Sequence, residues 1–209
     1  MGYYPVLLEL TGRACLVIGG GPVAERKVEG LLATGAAVTV VSPALGTVLE
    51  TLASEGKIRH IRREYRHGDL ADSQLAFAAT GDREANAAVA REGRELGVWV
   101  NAADDLSHCD FILPGVVRRG DLVVAVATGG SSPALSRAIR EELEVYFTED
   151  YALRAEVVAK VRQELRRQDL AADGETWRRA LDGQFRGLIA DGRSEEAKAY
   201  LLERLGGRR

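Results

Sequence analysis

Three consecutive glycines, Gly19-Gly20-Gly21, follow the apolar run Ala14–Ile18 and precede a helix-like pattern. Residues of this type at this spacing hold phosphate. Gly19 permits a tight turn, and Gly21 lets the backbone approach a pyrophosphate. Ala24 takes the place of a third glycine where helix and strand touch. The helix N-terminus then offers unpaired N–H groups and a partial positive charge. A second glycine turn, Thr128-Gly129-Gly130-Ser131-Ser132-Pro133, also opens a helix and can receive an anion in the same way. Two such turns suit a cofactor with phosphates and a substrate with carboxylates. Arg118, Arg119 and Arg137 lie near in sequence and could pair with carboxylates. Between the turns stands Asn101-Ala102-Ala103-Asp104-Asp105. A dehydrogenation that does not begin at an alcohol needs a base to take a proton as hydride leaves. Asp104 or Asp105 could be that base. His108 is a proton carrier by type, but its polar loop favours a surface place.

Elements must bring these residues together. Ala14–Ile18 reads as a strand and Val23–Thr34 as a helix stopped by Gly35. Ala37–Val41 is a β-branched strand, and Ala44–Ser54 a helix ended by Gly56. Ile58–Arg62 and Leu75–Ala79 are weaker strands. Asp82 caps a helix that runs to Leu96 and stops at Gly97, and Val98–Val100 is the next strand. This alternation argues for a parallel sheet with helices on both faces. In such a sheet ligands sit beyond the carboxyl ends of the strands, so Thr80 and Gly81 are candidates to line a cofactor crevice. Many dinucleotide folds carry an acid at the end of the second strand to hold ribose. This chain has Ser42 and Pro43 there. The Ser42 hydroxyl and the backbone near Pro43 and Ala44 could serve instead. No Arg follows directly to hold a 2′-phosphate, so the reading leans to NAD over NADP.

The pattern changes after Leu113. Phe111–Leu113 and Leu122–Ala127 read as a strand pair joined by Arg118–Asp121, followed by a helix from Ala134 to about Phe147 with Ser132 as its cap. Ala152–Arg167, Thr176–Ala190 and Ser194–Leu205 read as amphipathic helices. Boundaries therefore fall near Pro114 and Thr148.

The chain has 209 residues, 46% of them hydrophobic, and a net charge of −3. That is enough for a real core and gives no general attraction to nucleic acid. Two cysteines suit a reducing cytoplasm. No apolar run reaches the roughly 18 residues of a membrane span, and no signal peptide is visible. Scattered histidines, with no Cys-x-x-Cys and no His-Glu-x-x-His, support no metal site.

Four segments resemble the precorrin-2 dehydrogenases, the first module of siroheme synthases. They are Val17–Lys27, Asn101–Asp104, Cys109–Pro114 and Thr128–Ser136, in order and in register over roughly the first 150 residues, with Tyr4-Pro5-Val6 just before them. The resemblance implies an NAD-binding Rossmann domain over 1–113, a mixed dimerisation region over 114–148 and a small all-helical domain over 149–209. It implies a homodimer that oxidises precorrin-2 to sirohydrochlorin with NAD, and in some members inserts ferrous iron. The family's key acid falls on Asp104. Its cofactor contacts fall on the glycine loop with Pro22 and Val23, and near Pro43 and Ala44. Its substrate-binding turn falls on Thr128, Gly129, Gly130, Ser131 and Ser132, with Thr128 keeping the hydroxyl that some relatives supply from serine. Ending at Arg209, the chain has no room for the methyltransferase module, so a separate enzyme is expected to supply precorrin-2. Two rival readings are weaker. A nucleotide-sensing module leaves the second glycine turn without a role. A dehydrogenase of small acids lacks a His–acid or Lys base pattern.

Overall fold

The computed structural model describes residues 2–103 and 105–206. They form two compact units, 1–113 and 114–209. The first holds a five-stranded parallel sheet in the order β3-β2-β1-β4-β5. Its strands are β1 (Ala14–Ile18), β2 (Ala37–Val41), β3 (Arg59–Ile61), β4 (Leu75–Ala78) and β5 (Trp99–Ala102). The helices are α1 (Pro22–Leu32), α2 (Thr47–Ser54) and α3 (Arg83–Leu96). Strand alternation feeds two cores. Cys15, Val17, Val38, Val40 and Phe77 pack with Val28 and Leu31 of α1 and Leu49 of α2. Leu16, Ile18, Val41, Ala76 and Ala78 pack with Val89 and Ala90 of α3. The order reverses between β1 and β4, which opens a crevice at their carboxyl ends, where such sheets bind ligands.

Most expected elements hold with ends shifted by one or two residues, α1 stopping at Leu32, β3 covering Arg59–Ile61 and β4 ending at Ala78, and other differences bear on the site. The second helix starts at Thr47 rather than Ala44, because residues 42–46 fold against the glycine loop instead. The fifth strand runs on to Ala102. Phe111–Leu113 is not a strand. Phe111 O accepts from Asn101 Nδ2 at 2.9 Å, and its ring meets Phe77 edge-on at 5.5 Å. Pro114 then brings no N–H to a ladder.

One carboxyl side chain among the described residues is buried outright. Glu92 of α3 is 1% exposed. Its oxygens accept from Tyr65 Oη at 2.5 Å and Leu70 N at 2.9 Å. These bonds satisfy the carboxylate and tie the long β3–β4 connection to α3. Burial, followed by the Glu92 carboxylate, drives the Tyr65 hydroxyl well above its usual range.

In the second unit β6 (Gly115–Arg119) and β7 (Leu122–Val126) form an antiparallel hairpin. Its two-residue turn has Gly120 at φ +55°, as this turn class requires. Helix α4 (Pro133–Tyr146) follows, capped by Ser132 Oγ, which accepts from Leu135 N. Then come α5 (Asp150–Arg167), α6 (Gly174–Ala180), α7 (Gly183–Ala190) and α8 (Ser194–Gly206). Val157, Val161 and Leu165, four residues apart on α5, pack with Phe185, Ile189, Leu201 and Leu205. The expected single helix over Thr176–Ala190 is two. Asp182 breaks it, accepting from Gln184 N and Phe185 N as a cap while its other oxygen accepts from Tyr200 Oη at 2.6 Å.

Candidate functional site

The glycine loop lies flat because its neighbours leave no room for side chains. Gly19 has φ +124°, and a Cβ there would stand 2.4 Å from Ala79 O. A Cβ on Gly20 would stand 2.0 Å from Ala44 O. Gly20 was not singled out from the sequence, yet it has the tightest fit of the three. Its carbonyl accepts from Gly46 N at 2.8 Å, and Gly19 N donates to Val41 O at 2.9 Å. Gly21 is different: a Cβ there meets nothing within 4 Å. It is the N-cap of α1, no side chain caps that end, and Pro22 occupies the first turn. The first-turn N–H groups therefore have no side-chain cap at the positive end of the helix. This cradle fits a dinucleotide pyrophosphate. Val23 packs its side chain on the α1-side core.

Ser42 is buried, and its Oγ donates to Ala44 O at 2.6 Å. The hydroxyl proton thus shapes the Ser42–Pro43–Ala44 turn, and only its lone pairs remain to meet a ribose. Thr80 is similarly engaged. Its Oγ1 donates to Asn86 Oδ1 at 2.7 Å and accepts from Asp82 N at 3.1 Å, while Asn86 Nδ2 donates to Thr80 O at 3.1 Å. Asn86, a buried amide on α3, holds the Thr80-Gly81 bend at the carboxyl end of β4. The signal for it was a polar residue on the helix face shared with Val89, Ala90 and Gly93. Gly81 leaves open space, since a Cβ there touches nothing within 4 Å.

Asp104 lies outside the described residues. The segment after it is tightly held. Val100 N donates to Asp110 Oδ2 at 2.8 Å, Asp110 N returns to Val100 O at 2.8 Å, and Cys109 Sγ donates to Ala102 O. Asp105 caps the short 3₁₀ turn Leu106–His108. Its Oδ1 accepts from Ser107 N at 3.0 Å and Ser107 Oγ at 2.6 Å, and its Oδ2 from His108 Nδ1 at 2.8 Å. The Ser107 hydroxyl first, then His108, holds the Asp105 carboxyl down at about 2. A carboxylate so loaded with donors is a poor proton acceptor at neutral pH. Because its folded value lies below the ordinary 3.8, the stability from this cap is present above that value and is lost as pH falls through about 2. A ¹³C NMR titration of the Asp105 carboxyl is expected to show a midpoint near 2. A midpoint at the ordinary carboxylate value would mean that the cap does not form.

In the second unit Thr128 turns inward. Its Oγ1 accepts from Ser132 N at 3.1 Å and sits 3.0 Å from Ser136 Oγ, and its carbonyl accepts from Ser131 N and Ser131 Oγ. Gly129 and Gly130 take φ +62° and +82°. The hydroxyls thus build the turn, and the backbone at the glycines is its outer surface. Arg119 is paired with Glu149 at 3.2 Å, and Arg137 with Glu141 at 3.0 Å. Arg118 is exposed. Among the described residues no group of three His, Cys, Asp or Glu is arranged to hold a metal ion, and no helix is long and apolar enough to cross a membrane.

A family model described as "Putative NAD(P)-binding" matches residues 6–115, and one described as "Sirohaem biosynthesis protein central" matches residues 119–146. The chain is 38% identical over 208 residues to a siroheme synthase of Nitrosomonas europaea, and 39% identical over 205 residues to one of Methylococcus capsulatus. These alignments take in 98% and 97% of this chain but only 44% and 43% of the relatives, so the chain spans less than half their length. Among solved structures it is similar to "SirC, precorrin-2 dehydrogenase", with TM-score 0.76 and 27% identity over 99% of this chain and 100% of that one.

Proposed function

The chain belongs to the NAD(P)-binding family matched over residues 6–115, and on that premise we propose that it oxidises precorrin-2 to sirohydrochlorin with NAD, in siroheme biosynthesis. The observation that carries the reading is the open cradle at Gly21, in a chain that aligns along its whole length with a precorrin-2 dehydrogenase. The reaction removes two electrons and two hydrogens from the macrocycle, as one hydride and one proton. Bound NAD supplies the hydride acceptor. Gly19, Gly21, Pro22 and Val23 hold its pyrophosphate through backbone groups. Ser42, Pro43 and Ala44 shape the ribose subsite, and Thr80 and Gly81 the opposite wall. Asp104 takes the proton, since Asp105 is committed to its cap. The backbone of Thr128, Gly129, Gly130, Ser131 and Ser132 receives a substrate carboxylate. Ferrous iron insertion is proposed as a second activity, needing a proton acceptor for the displaced pyrrole hydrogens and no resident metal. The test is whether NADH and sirohydrochlorin form together from precorrin-2 and NAD without air, and whether added ferrous ion then enters the product faster than without protein.

We also propose a homodimer formed through residues 114–148. Helix α4 has no buried residue, and Leu135, Val145 and Tyr146 are 52%, 79% and 67% exposed. The hairpin itself packs on α4 and α5, so it is the outward apolar side chains of α4 that call for cover. The double variant Val145→Asp, Tyr146→Asp is expected to weaken the dimer by about 100-fold or more, read by light scattering across a dilution series. An unchanged dimer would remove α4 from the interface. The cytoplasm, where both free thiols stay reduced, and a separate uroporphyrinogen methyltransferase as supplier complete the proposal. Co-localisation of the two tagged enzymes tests that part.

A further inference from the structure

The carboxyl end of β2 carries Ser42 and Pro43 and no carboxylate. Folds that select NAD commonly place an acid there to hold the ribose hydroxyls, and that charge also repels a 2′-phosphate. This chain lacks the repulsion, and the neighbouring strand brings a cation to the same edge. β3 runs parallel to β2 with Ile61 beside Val41. Ile61 O accepts from Ser42 N at 3.2 Å and from Arg63 N at 2.9 Å. The chain therefore turns sharply about Arg62, next to Ser42. His60 Nε2 donates to Ser42 O at 2.9 Å and braces the peptide between the two strands. Arg63 is drawn away, its guanidinium held on Asp69 by bonds of 2.8 and 2.6 Å. Arg62 is exposed and has no hydrogen bond or ion pair among the described residues. A carboxylate does lie against this loop, but at its far end: Glu25 Oε2 is 3.8 Å from where a Cβ on Gly46 would stand.

We propose that Arg62 reads the 2′ position of the adenosine ribose, so that the site takes NADP as well as NAD. The inference rests on the glycine loop being the dinucleotide site. A 2′-phosphate adds nearly two negative charges and three acceptor oxygens. A guanidinium matches those oxygens with paired, planar donors. The sequence alone hid this residue, because it follows the third strand and not the second.

Calorimetric titration of the full chain with NAD and with NADP, at low and moderate salt, tests it. The wild-type Kd for NADP is expected to lie within about tenfold of that for NAD, and to weaken more with salt. Arg62→Glu is expected to raise the ratio of Kd for NADP to Kd for NAD by about tenfold or more, and Arg62→Lys by less. NADP binding more than about 100-fold weaker than NAD in the wild type would overturn the proposal. So would variants that shift both cofactors equally. If neither cofactor binds, the glycine-loop site itself fails, a result distinct from NAD binding alone.

Discussion

Asp104→Asn is expected to lower turnover by about 10²–10⁴-fold while NAD binds as before. The proton leaving the macrocycle needs an acceptor of ordinary carboxylate strength beside the hydride acceptor. Its neighbour cannot take over. Asp105 accepts from Ser107 N, Ser107 Oγ and His108 Nδ1, which holds it ionised down to about 2. Asn keeps the shape of the side chain and removes only its basicity. The acid limb of the pH–rate profile should disappear with it. Asp105→Asn serves as the control: it is expected to loosen the Leu106–His108 turn and to spare most of the rate. A variant at Asp104 with turnover within a few-fold of wild type would take that residue out of the chemistry.

The second large effect separates two adjacent glycines. Gly20→Ala puts a methyl group 2.0 Å from Ala44 O and 2.7 Å from Ser42 Oγ. Backbone rather than a flexible side chain blocks it, so the β2–α2 connection must move. A cost of about 2–4 kcal/mol is expected, with NAD binding lost as the loop lifts. Gly21→Ala meets nothing in the protein. Its melting temperature should stay near that of the wild type, while its methyl group occupies the space proposed for the pyrophosphate and NAD affinity falls by about tenfold or more. Thermal unfolding and calorimetry on the pair read both effects. Equal melting temperatures for the two variants would contradict the packing of the loop. An unweakened Gly21→Ala would move the phosphates elsewhere.

Much of the first unit was legible because its signals are local. Apolar runs of four or five residues marked β1 and β2, and more weakly β4. Asp82 and Gly97 marked both ends of α3, and the structure has Asp82 Oδ1 on Glu84 N and Gly97 at φ +71°. What escaped was non-local. Gly20 and Gly21 look alike in sequence, and only the approach of Ala44 distinguishes them. Asn86 reads as an ordinary helix residue until Thr80 is folded against it. Arg62 stands twenty positions beyond Ser42 and reaches its side only through parallel pairing. Phe111–Leu113 has the composition of a strand, but the Asn101 amide captures its backbone and the strand begins at Gly115. The break at Leu181–Asp182 was missed because the apolar positions continue across it. There Asp182 was available as a cap, and Tyr200 on α8 rewards the bend.

The central claim is that one chain binds NAD at the glycine loop and passes it a hydride from precorrin-2. The most direct measurement follows NADH and sirohydrochlorin absorbance in one anaerobic cuvette, with precorrin-2 limiting, NAD in excess and metal ions chelated. The expected result is NADH and sirohydrochlorin in equal amounts, at a rate proportional to protein and abolished in Gly20→Ala. Protein that binds NAD by calorimetry, yet forms neither product from precorrin-2, would contradict it.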